Sequence, residues 1–244
     1  MIIRTSILLA ALVLPVAAGA NDIPGNRNTK AVLDPPRGVN GVFNRQDDSD
    51  WFRVSLKAGT NYAFDVDRFD DATCARLNMR DLATGKVLLT DFGTGGSDGG
   101  FEFQPQRNRT LFVEVKDCSS GGSELPSYPA TYLVRVAGDA RNDATTKATL
   151  AVGQTRKGTF NFNGDRDWYR VQLDSKKSYT VALTSGDDEG LSLVDPSGKV
   201  LFAESGGSEV TLRGVTVPTS GTYYVLASNT SDFGFQYMLA LTSP

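Results

Sequence analysis

Histidine is absent from all 244 residues. That omission removes Ser-His-Asp and Cys-His nucleophile systems, His-ligated zinc and the usual imidazole base in one step. Cysteine is nearly absent: Cys74 and Cys118 are the only two, and they lack the C-x-x-C spacing of a redox pair. Basic clusters are missing too. The chain has 25 Lys and Arg against 28 Asp and Glu, a formal net charge of −3, with no patch that could neutralise phosphates. Nucleic acid is therefore not an expected partner, and anionic membrane surfaces are disfavoured. The one long apolar run, from Ile7 to Val16, is too short to span a bilayer, so no membrane span is expected.

That run has a different meaning. Arg4 precedes it and Ala18-Gly19-Ala20 follows it, the arrangement of a signal peptide with a small-residue cleavage site. Cleavage after Ala20 and export, to a periplasm or outside the cell, are expected. The 224 residues that remain suffice for two small cores. In an oxidising compartment Cys74 and Cys118 are expected to form a disulfide. It would close a loop of roughly 45 residues and stabilise by about 4 kcal/mol in the loop-entropy view. A reactive thiol pair is the alternative.

What is abundant is repetition. Positions 48 to 54 read DSDWFRV and positions 165 to 171 read DRDWYRV, so Asp48, Asp50, Trp51 and Arg53 recur as Asp165, Asp167, Trp168 and Arg170, displaced by 117 residues. The same displacement pairs Gly41 with Gly158, Phe43 with Phe160, Asn44 with Asn161, and Thr29 to Leu33 with Thr146 to Leu150. One module is used twice. The expected division is a signal peptide at 1–20, a first copy at 21–137 and a second at 138–244.

Each copy reads as short strands. Tyr169, Val171 and Leu173 alternate with polar neighbours, as do Tyr179, Val181 and Leu183, and turn clusters such as Asp195-Pro196-Ser197-Gly198 separate the runs. About eight strands per copy and no helical period predict an all-β chain of two tandem antiparallel β-sandwiches of jelly-roll type.

The pattern G-x-F-N…D-x-D-W-[FY]-R-V, followed by an alternating strand, a later G-K-V-L and T-[LY]-[FY]-V, resembles the bacterial pre-peptidase C-terminal domain. The resemblance implies a β-sandwich module commonly attached to secreted peptidases and related to the collagen-binding domains of clostridial collagenases, some of which bind calcium. In those relatives the ligands are aspartates before this strand together with an acidic segment at the start of the domain. Carried over, the resemblance points to Asp48 and Asp50 in the first copy, and to Asp165, Asp167, Asn142 and Asp143 in the second, with calcium as the cofactor. The same aspartates can instead cap the turn into the strand through backbone N–H groups.

Two other sets of residues stand out. Period-2 geometry sets Trp51 with Arg53, and Trp168 with Arg170, on the face opposite the core-facing residues. There they could stack on a sugar ring or a peptide, or lie covered by the repeated Thr29–Leu33 and Thr146–Leu150 segments. Acid groups at Asp65, Asp67, Asp70 and Asp71, and at Asp187, Asp188 and Glu189, read as solvated turns and not as catalytic carboxylates. The glycine-rich stretch from Gly93 to Gly100 precedes no helix and reads as a loop. These features converge on an exported, non-enzymatic binding or accessory protein whose partner is a protein or polysaccharide surface. The alternative is a structural or inhibitory partner of a separately encoded secreted hydrolase.

Overall fold

The computed structural model describes residues 22–68, 74–91, 99–119, 128–186, 188–229 and 235–244. The expected signal peptide lies outside them. The first copy supplies eight strands: β1 (Gly38–Phe43), β2 (Ser49–Leu56), β3 (Tyr62–Arg68), β4 (Ala75–Asp81), β5 (Val87–Thr90), β6 (Gly100–Phe103), β7 (Arg109–Asp117) and β8 (Ala130–Gly138). The second supplies β9 (Gln154–Thr159), β10 (Arg166–Leu173), β11 (Tyr179–Thr184), β12 (Glu189–Val194), β13 (Val200–Ser205), β14 (Glu209–Val215), β15 (Gly221–Asn229) and β16 (Gln236–Thr242). The described residues contain no helix, as the turn-punctuated alternation predicts.

The repeat is visible in the topology. The first copy forms sheets ordered β1-β8-β3-β6 and β2-β7-β4-β5, and the second forms β9-β16-β11-β14 and β10-β15-β12-β13. Counting eight strands forward converts one pair into the other, and every pairing between neighbours is antiparallel. Each pair encloses its own apolar cluster. Phe43, Phe52, Phe64, Leu77 and Tyr132 fill the first, and Phe160, Tyr169, Leu183, Leu193 and Tyr237 fill the second. Burying each such side chain stabilises by roughly 1.5–3 kcal/mol.

The glycine of G-x-F-N has a steric reason. A Cβ on Gly41 would sit 2.1 Å from the Tyr132 ring, and one on Gly158 would sit 2.1 Å from the Tyr237 ring. Each tyrosine crosses the strand at its glycine and stacks on the motif phenylalanine, with centroids 4.7 Å apart for Phe43–Tyr132 and 4.4 Å for Phe160–Tyr237. The glycine thus opens a path for a tyrosine hydroxyl to reach the motif aspartates.

Cys74 and Cys118 are joined in a disulfide with their Cα atoms 4.9 Å apart. It ties the chain just before β4 to the end of β7, where the Cys118 N–H also donates to the Cys74 carbonyl at 2.9 Å.

Candidate cation site

The two aspartates of D-x-D have separate tasks. Asp48 caps the turn: its Oδ2 accepts from the Asn44 N–H at 2.7 Å and its Oδ1 from the Ser49 N–H at 2.9 Å. Asp165 does the same with the Asn161 N–H at 2.6 Å and the Arg166 N–H at 2.8 Å. Asp50 is fully buried. Its Oδ2 accepts from the Tyr132 hydroxyl at 2.5 Å while its Oδ1 has no donor. Asp167 repeats this with the Tyr237 hydroxyl at 2.5 Å and a donor-free Oδ1. A buried carboxylate oxygen with no donor is costly unless something positive faces it.

A third carboxylate completes each group. In the first copy Asp22 brings an oxygen within 4.8 Å of oxygens from Asp48 and Asp50. It is positioned by the Asn44 amide, which donates to its Oδ1 at 2.9 Å. The residue 117 positions later is Asp139, whose Oδ2 has no donor and which lies within hydrogen-bonding reach of Asp167. Glu102, from β6 of the first copy, joins Asp139 and Asp165 in a second group with oxygens within 4.8 Å of one another.

The electrostatics match this crowding. Burial, reinforced by the charges of Asp48 and Asp22, pushes Asp50 up to about 7 against the opposing hydrogen bond from Tyr132. Burial raises Asp165 to about 6, and burial with the charge of Asp165 raises Glu102 to about 7. Asp139, buried beside Asp167, Asp165 and Glu102, goes up to about 11. Asp167 is raised well above the carboxylate range by burial and by Asp165. Arg141, whose charge bears on Glu102, is engaged with Asp143 and with Gln104. These are hard oxygen donors. Two oxygens bound to one calcium ion at 2.3–2.6 Å stand at most about 5 Å apart, and both groups meet that limit. The donor set fits calcium.

Other expected ligands lie elsewhere. Asp143 pairs with Arg141 and accepts from the Thr145 N–H at 2.7 Å in a local turn, and Asn142 is exposed. The Asp143 side chain does not belong to the carboxylate group, whereas the Asn142 backbone N–H bears on Glu102. Asp22, Asp139, Glu102 and the two tyrosines were not among the expected site residues. The signal for the first two was the repeat displacement applied upstream of Thr29, where Asp22 and Asp139 match amid unmatched neighbours.

The tryptophans differ between copies. Trp51 is 8% exposed. Its ring lies under the Arg80 guanidinium at 4.8 Å, and its Nε1–H donates to Ser49 Oγ and Glu114 Oε1, each at 3.2 Å. Trp168 is half-buried, and its Nε1–H has no acceptor. The segments expected as covers lie along the strand edge instead. Ala31 and Leu33 hydrogen-bond to the Arg53 backbone, and Ala148 and Leu150 to that of Arg170. The Arg53 side chain donates to the Thr29 carbonyl at 3.0 Å, whereas Arg170 is exposed.

Of the acid groups read as solvated turns, Asp65 and Asp67 instead lie within β3, where Arg135 grips them at 2.5 and 2.6 Å. Asp188 accepts from the Gly207 N–H at 2.7 Å, and Glu189 is buried. Asp70, Asp71, Asp187 and most of Gly93–Gly100 lie outside the described residues.

Fold and site together define a tandem β-sandwich protein with a recurrent buried acidic group. Residues 165–229 match the model of the bacterial pre-peptidase C-terminal domain family, a span that opens on Asp165 and closes at the end of β15. The chain is also 26% identical over 157 residues to imidazole glycerol phosphate synthase subunit HisF of Methanopyrus kandleri, across 60% of this chain and 54% of that protein. It thus spans about half the length of that curated relative. Among solved structures, the PBSX exported protein XepA is 9% identical with a TM-score of 0.23, covering 86% of this chain and 84% of that one. The M60 catalytic domain with CBM51-1 and CBM51-2 domains of Clostridium perfringens ZmpB is 8% identical with a TM-score of 0.22, covering 84% and 34%. At such scores neither structure bears on fold or function.

Proposed function

We propose that the protein is an exported, non-enzymatic accessory binding protein of two sandwich modules, each organised around a calcium-class cation. The observation that carries this is the recurrence, at Asp50 and Asp167, of a buried aspartate with one oxygen on a tyrosine and the other without a donor. A repeated residue that only capped a turn would need no such oxygen. In this reading Asp22, Asp48 and Asp50 hold one cation, and Asp139 and Asp165, with Asp167 in hydrogen-bonding reach of Asp139, hold another. The cation supplies the counter-charge that lets the buried carboxylates stay ionised. Tyr132 and Tyr237 orient the inner aspartate.

The surface offered to a partner is the outer face of β10-β15-β12-β13, around Trp168. One row across it reads Trp168, Leu226, Ser192, Ala203, and a neighbouring row ends in Val200, which is 51% exposed. A half-exposed aromatic beside the free-standing Arg170 suits stacking against a sugar or an aromatic peptide. The test is binding of the mature protein to a panel of polysaccharides and collagen-type proteins, in calcium and in chelator, beside Trp168→Ala. Capture that needs both calcium and Trp168 supports the reading; capture indifferent to both overturns it.

A further inference from the structure

The second acidic group is not built from the second sandwich alone. Glu102 lies on β6 of the first sandwich, yet one of its oxygens is within 4.8 Å of oxygens on Asp139 and Asp165. It is aimed there deliberately by local contacts: the Asn61 amide donates to Glu102 Oε2 at 2.6 Å and to the Ala140 carbonyl at 3.3 Å, while the Asn61 carbonyl accepts from the Asp139 N–H at 3.1 Å. Glu102 Oε1 has no donor. Two further contacts hold the same seam. Arg141 Nη1 donates to Gln104 Oε1 at 2.6 Å, and Gly100 packs so tightly on Phe162 that a Cβ there would lie 2.4 Å from it. In the first copy Asp22 is exposed, and no carboxylate from elsewhere joins Asp22, Asp48 and Asp50 among the described residues.

The oxygens that face one another here point to a ligand beyond the carboxylates themselves. Asp167 is 1% exposed and its Oδ1 has no donor, and Asp139 Oδ2 and Glu102 Oε1, on half-buried residues, have none either. Three carboxylates meet where the two sandwiches meet, and Asp167 adjoins them through Asp139. Without a cation this arrangement is held together only by carboxyl protons, because like charges at short range in a partly buried setting repel strongly.

We infer that the Glu102–Asp139–Asp165 group binds a divalent cation as a clamp between the two sandwiches, so that calcium sets how firmly the first module is held to the second. This rests on the calcium reading above and extends it: the first site serves one module, whereas the second joins both.

Isothermal titration of the mature chain with calcium chloride, combined with distances between spin labels on Lys86→Cys and Lys199→Cys, tests this directly. In the parent chain two calcium ions bind and the distance distribution narrows. Glu102→Gln weakens the second site about tenfold, as expected for losing one charged ligand, and abolishes the narrowing. Asp50→Asn removes the other site and leaves the narrowing in place. Circular dichroism checks folding, and Glu102→Asp, which retracts the charge without removing it, serves if the glutamine variant does not fold. Unchanged affinities in Glu102→Gln, or a weakened site with unaltered narrowing, overturn the clamp while leaving calcium binding intact. Absence of calcium binding in the parent chain overturns both.

Discussion

The same tryptophan sits at the same point of the same strand in both copies, sealed in one and half open in the other. Across the first sheet the row through Trp51 reads Trp51, Glu114, Asn78, Thr90, and the next reads Arg53, Phe112, Arg80, Val87. The equivalent rows of the second sheet read Trp168, Leu226, Ser192, Ala203 and Arg170, Tyr224, Val194, Val200. Glu114 is the pivot of the difference. It accepts from Ser49, Trp51, Asn78 and Arg80, and that network holds Arg80 over the indole. Where Leu226 and Val194 replace Glu114 and Arg80, nothing can be held over Trp168. A repeated residue thus keeps its backbone role in both copies while its neighbours decide whether it is structure or surface.

The largest expected effect breaks that contrast at the tryptophans. Trp51→Ala should cost about 3–5 kcal/mol, the usual penalty for emptying a buried aromatic site, whereas Trp168→Ala should cost about 1–2 kcal/mol because less of its surface leaves water. Urea unfolding followed by circular dichroism measures both, and equal penalties would erase the distinction. Next, Glu114→Ala should destabilise the first module by about 3 kcal/mol, since it strands the Arg80 charge and the Trp51 N–H together. The expected accompaniment is a more solvent-exposed Trp51, read as red-shifted emission.

How much of this was legible in the sequence follows from which interactions are local. The strands, their two-fold repetition and the absence of helix came from alternation and turn residues, and these are short-range. The caps by Asp48 and Asp165 were readable for the same reason. Asp22 and Asp139 were not, because a solitary match amid divergent neighbours carries no periodic signal. Glu102 could not be found from the repeat at all: it has its effect in the other copy's site. The state of Trp51 depends on Glu114 and Arg80, 63 and 29 residues further along, and only the cross-strand register brings them together.

A smaller effect concerns pH. Asp50 is raised to about 7 in the folded chain, above the roughly 3.9 of an unfolded aspartate. The folded state therefore holds an extra proton between those values, and stability falls as pH rises from about 4 to about 7. Melting in chelator should show that decline, and Asp50→Asn should flatten it for the first module. The smallest expected change is at Asp47, which has φ of 60° where the second copy has Gly164 at 77°. Asp47→Gly removes the cost of a left-handed aspartate and should stabilise by up to about 1 kcal/mol in chemical denaturation.

The most direct test of the central claim, that both acidic groups are cation sites, is thermal melting of residues 21–244 in calcium against chelator. At a calcium concentration ten times the dissociation constant, each occupied site should add about 1.4 kcal/mol, and the midpoint should rise by several degrees. Asp167→Ala should retain only part of that rise. Identical midpoints in calcium and chelator would contradict the account and leave Asp48 and Asp165 as turn caps alone.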